Sequence, residues 1–108
     1  MKESQDAKEQ LEKLKKEIQI LNRQLKSTRP IHPAIQIKKA RSDLSSLADL
    51  PSDFASVNIQ VGWILAKLQE TGGALEDEMK RSTSEKLIKA HDFALELRDK
   101  IQEKFFNL

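Results

Sequence analysis

Five large aliphatic residues near the start of the chain, Leu11, Leu14, Ile18, Leu21 and Leu25, recur at spacings of 3, 4, 3 and 4. That rhythm confines the segment to a helix with one narrow apolar seam, because a strand repeats every two residues and a helix about every 3.6. In heptad terms Leu11, Ile18 and Leu25 fall at a, and Leu14 and Leu21 at d, while Ala7 and Ser4 extend the seam weakly backwards. Off the seam nearly everything is polar, Ile20 being the exception. A stripe this narrow suits a coiled coil better than the broad face of a globular helix. The flanking positions favour a parallel pair: Glu3 meets Lys8, Gln10 meets Lys15 and Glu17 meets Asn22, with no like charges opposed. Exposed pairs of this kind contribute only ~0.3–0.5 kcal/mol each, so the seam itself carries the association. Leu11, Leu14, Ile18, Leu21 and Leu25 are therefore the candidate oligomerisation residues, for a parallel homodimer or for a partner helix of another protein.

Two prolines then interrupt the helix. Pro30 and Pro33 each lack a backbone N–H and push the preceding residue out of the α region. The spacing predicts residues 1–29 as a coiled-coil helix, 30–33 as a proline elbow and 34–108 as a separate helical bundle able to stay folded without the seam. Within that bundle Ile37, Ala40, Leu44 and Leu47 form one stripe, ended by Pro51. Phe54, Val57, Val61, Ile64 and Leu68 form the next, with Ser52 or Asp53 as its N-cap. Ile59, Trp63 and Leu65 widen this stripe, which places Trp63 in the core. Thr71-Gly72-Gly73 reads as a helix end, and Ser82 with Glu85 as a capping box for a last helix carrying Leu87, Ala90, Ala94, Leu97 and Ile101. The expected fold is all-α: an N-terminal coiled-coil helix followed by a small bundle of three to four helices.

Composition agrees with this class. Leu, Ile, Val and Phe supply 29 of 108 residues, above the roughly 20% below which a chain stays disordered. Three Gly and no Tyr are poor material for an all-β fold. The absence of Cys excludes disulfides, thiolate metal sites and a Cys nucleophile. No apolar run approaches the roughly 18 residues that span a bilayer, and the first residues are charged, so a soluble intracellular protein without a membrane role is expected.

Few residues suggest chemistry. His32 lies in the elbow and His91 in a helix, neither beside a second ligand at metal spacing, and they read as a loop residue and a half-exposed helix residue. Glu76, Asp77 and Glu78 are consecutive, so on a helix they point about 100° apart and do not converge. Ser82 and Ser84 follow Lys80-Arg81, a basic context for phosphorylation, but helix capping is the preferred reading of them. Phe105, Phe106 and Leu108 form an apolar end that docks back or meets a partner. No nucleophile–base pair is present, so neither an enzyme nor a cofactor is expected. Net charge is only +2, but Arg29, Lys38, Lys39 and Arg41 form a local basic patch able to contact phosphates. Two functions follow: a non-enzymatic oligomeric scaffold or adaptor for other proteins, or a small dimeric nucleic-acid-binding accessory protein using that patch.

Overall fold

The structure, a computed structural model, describes residues 5–27, 35–81 and 84–106. It contains four helices: α1 (Gln5–Ser27), α2 (Ile35–Ala48), α3 (Val57–Met79) and α4 (Glu85–Phe105). Consecutive helices run antiparallel. Lys15 meets Leu50 while Asn22 meets Arg41, so residue numbers converge between α1 and α2. Lys67 meets Asp43 between α2 and α3, and Glu76 meets His91 between α3 and α4. Lys100 of α4 pairs with Glu17 of α1 at 3.2 Å and closes the ring. The result is an up-down-up-down four-helix bundle.

The seam assigned to oligomerisation is the inner face of a bundle helix. Leu11, Leu14, Ile18, Leu21 and Leu25 are all buried, and they share one core with Leu44, Val61, Ile64, Leu68, Leu87, Leu97 and Ile101 of the same chain. Knobs-into-holes packing asks only for a facing helix, and the 3, 4 spacing is the same whether that helix belongs to a second chain or to this one. The flanks are also occupied within the chain. The Lys15 ammonium, 4% exposed, donates to the Leu50 carbonyl at 2.7 Å. The Asn22 amide donates to the Arg41 carbonyl at 3.3 Å. Thus one side of the seam addresses α2, and the other, through Glu17, addresses α4. The proline elbow at 30–33, with His32, lies outside the described residues.

Helix ends follow local chemistry with two departures from expectation. The N-cap of α3 is Ser56, not Ser52 or Asp53; its Oγ accepts the Ile59 N–H at 3.2 Å. The intervening loop is held from inside by Gln60, 1% exposed, whose amide donates to the carbonyls of Ser52 and Ala55. Gly72 and Gly73 do not end a helix: α3 runs through them to Met79. Neither has a positive φ, and Gly72 is buried facing Leu95 of α4, so packing along the α3–α4 pair outweighs the roughly 1 kcal/mol each glycine costs in a helix. The N-cap of α4 is Ser84, while Ser82 of the expected capping box lies outside the described residues. Three helices therefore follow α1.

Candidate functional site

Two surfaces stand out, one apolar and one basic. The apolar surface corrects the placement of Trp63. The residue is 42% exposed, beside Phe54 at 60% and Ile59 at 50%. The rings of Phe54 and Trp63 meet edge to face with centroids 6.2 Å apart. The cause is positional. Val57, Val61, Ile64, Leu68 and Leu75 point α3 into the core, and Trp63 lies about 100° from Ile64 around the helix axis. Phe54, from the loop between α2 and α3, is the aromatic ring that leans on the indole. Exposed Ile59, Trp63 and Ala66 follow one another at helical spacing, and Ser52, Asp53, Ser56 and Asn58 supply polar, exposed neighbours in the chain.

The basic surface is an open groove of about 440 Å³ between the C-terminal half of α1 and the N-terminal half of α2. Its walls are Arg23 and Lys26 from α1, Lys38 and Arg41 from α2, and the polar residues Asn22, Ser42 and Ser45, with no carboxylate among them. The expected patch is thereby divided. Lys38 and Arg41 share the groove. Lys39 lines a separate depression between α2 and α3 with Asp43 and Glu70. Arg29 lies outside the described residues. Arg23 and Lys26 were missed by sequence reasoning, although the signal was present: they are exposed positions near the end of α1, and a short connection places the next helix antiparallel beside them. The Nε of Arg41 and the Oδ1 of Asn22 are enclosed by the protein without a hydrogen-bond partner.

The remaining polar residues are engaged in packing. His91 is buried, where a half-exposed position was expected, with Nε2 3.4 Å from Glu76 and Nδ1 3.4 Å from Asp92. The three consecutive carboxylates diverge: Glu76 faces His91, Asp77 faces Lys80 and Glu78 faces Arg81. Lys67 bridges Glu70 at 3.1 Å and Asp43 at 3.3 Å. Those hydrogen bonds, to Glu70 first and then Asp43, raise its pKa above the ordinary 10.5. Among the described residues no group of His, Asp and Glu is placed to hold a metal ion, and no helix is long and apolar enough to cross a membrane.

Comparison with protein-family models, curated proteins and solved structures finds no match to this chain.

Proposed function

We propose that this protein is a non-enzymatic protein–protein interaction module, a four-helix adaptor that docks a short amphipathic segment of another protein on Phe54, Ile59 and Trp63. The observation that carries the reading is the exposure of two aromatic rings and an isoleucine on one surface, while the charged seam helix hides nearly all its apolar residues. Large aromatic side chains are the preferred anchors of protein interfaces. Size decides the kind of partner. At 60% and 42% exposure, Phe54 and Trp63 with Ile59 offer on the order of 300 Å² of side-chain surface. A stable dimer buries roughly 800 Å² on each partner. The patch is therefore too small to carry a permanent homodimer alone, and it matches a short segment inserting one or two apolar side chains beside the indole.

The test is a photo-crosslinker at exposed Asn58 in the cells that make the protein. The expected result is a discrete adduct with one other protein, lost in Phe54→Asp/Trp63→Asp although the variant melts like the parent. A peptide covering the crosslinked segment should then shift the emission of Trp63, the chain's single Trp, to the blue. Adducts only between copies of this chain, or an adduct indifferent to the double substitution, overturn the reading.

A further inference from the structure

The groove between α1 and α2 gathers four cations with no carboxylate among its described lining residues, whereas Lys8, Lys13 and Lys16 on α1 stand beside Glu9 and Glu12. Several cations elsewhere are matched: Lys67 by Asp43 and Glu70, Lys80 by Asp77, Arg81 by Glu78, Arg98 by Asp99 and Lys100 by Glu17. In the groove Arg23, Lys26, Lys38 and Arg41 converge from two helices with no carboxylate in the lining. The first turn of α2 contains no acidic residue either, although that is where a helix dipole favours one, and Lys38 follows directly. Arg41 is fixed at the groove wall. Its backbone carbonyl is held by the Asn22 amide. Its side chain lines the groove and is only partly buried, so its guanidinium can offer charge-assisted hydrogen bonds to an anion there.

We propose that this groove binds a compact ligand carrying two adjacent phosphate groups, with Arg41 and Arg23 as guanidinium forks, Lys38 and Lys26 as point charges, and the Ser42 and Ser45 hydroxyls as additional donors. The charge balance selects two phosphates over one. A single phosphate monoester carries about −1.5 to −2 at neutral pH, which neutralises only part of the four cations. The extent of the surface selects a compact ligand over a nucleic acid. The neighbouring Lys39 and Lys67 lie on the α2–α3 side with Asp43 and Glu70, so among the described residues the positive surface does not continue across α2 as a stripe. Among the described residues no aromatic side chain lines the groove for base stacking. This site is independent of the apolar patch.

Calorimetric titration of the full chain with inorganic pyrophosphate, and with inorganic phosphate as comparator, tests the assignment. The expected result is one site per chain, with pyrophosphate at least tenfold tighter than phosphate. Arg41→Gln should lose at least tenfold in affinity. Arg23→Gln/Lys26→Gln, at exposed positions that carry no packing, should lose a similar factor and keeps the test valid if Arg41→Gln misfolds. Lys39→Gln should bind like the parent. Absence of pyrophosphate binding, equal affinity for the two anions, or equal losses in Lys39→Gln and the groove variants each overturn the proposal. So does a short DNA duplex that binds more tightly than pyrophosphate, falls steeply with salt and depends on the same groove residues, because that identifies a nucleic-acid surface.

Discussion

α1 and α3 are each 23 residues long and stand diagonally across the bundle, yet they meet solvent in opposite ways. α1 is largely charged, and it sorts its residues almost completely: the five seam residues are inside and, of the large aliphatics, only Ile20 is outside. α3 is the most apolar helix, yet it leaves Ile59 and Trp63 outside while burying Gln60, Thr71 and Glu78. Its interior also tolerates two consecutive glycines. Apolar content therefore indicates how much a helix has to bury, whereas angular position decides what is buried. A sorted helix contributes mainly to stability. An unsorted one retains surface with which to bind.

This contrast can be broken most forcefully at the seam. Leu14→Asp with Leu21→Asp places two unpaired charges in a core shared by all four helices, each costing several kcal/mol, and should abolish nearly all helicity in circular dichroism. That outcome differs from the sequence-based expectation of an independent bundle over residues 34–108; retention of most helicity would show that α1 is an appendage. Lys15→Met is the next largest effect. Loss of the buried bond to the Leu50 carbonyl should destabilise by about 1–3 kcal/mol in denaturant titration, while the exposed Lys13→Met and Lys16→Met change little.

On α3 the sign reverses. A Cβ at Gly73 meets nothing within 4 Å, and one at Gly72 touches Leu95 at an ordinary 3.9 Å. Gly72→Ala/Gly73→Ala should therefore stabilise by about 1–2 kcal/mol, and a lower melting temperature would show that the helix needs its softness there. Trp63→Ala should cost only about 1 kcal/mol, compared with the roughly 3–5 expected of a core tryptophan. Its emission in the parent protein should be readily quenched by iodide. The smallest effect is at Lys67. Its pKa is raised in the folded protein, so its contribution is complete below 10.5 and is lost as pH rises through the folded value. Stability of the parent should fall more steeply than that of Lys67→Met in that alkaline range alone.

Much of the fold was legible because periodicity is local information. The seam residues, the α2 stripe through Leu44 and the α4 stripe from Leu87 to Ile101 are all inside, as their spacing requires. What was not legible depends on neighbours. Heptad spacing does not record whose helix fills the opposite holes, so α1 read as an interface between chains. Gly72-Gly73 is a break by propensity and a helix interior by packing against Leu95. Trp63 appeared central because apolar residues surround it in sequence, whereas its angular position on α3 turns it away from the face that Val61, Ile64 and Leu68 bury. The basic site was half legible: Lys38 and Arg41 are neighbours within one helix, but Arg23 and Lys26 join them only through the antiparallel turn-back of the chain.

That turn-back also governs how quickly the molecule can assemble. Each of the first three helices packs against the helix that follows it, so most interhelical pairings close short stretches of chain and have low contact order, the regime in which domains fold in microseconds to milliseconds. One pairing is different. The ion pair between Glu17 and Lys100 joins groups 83 positions apart and requires the first and last helices to meet. The loop-closure entropy of that encounter is the largest in the molecule, which makes the α1–α4 seam the natural last step of folding and the first place where the bundle opens.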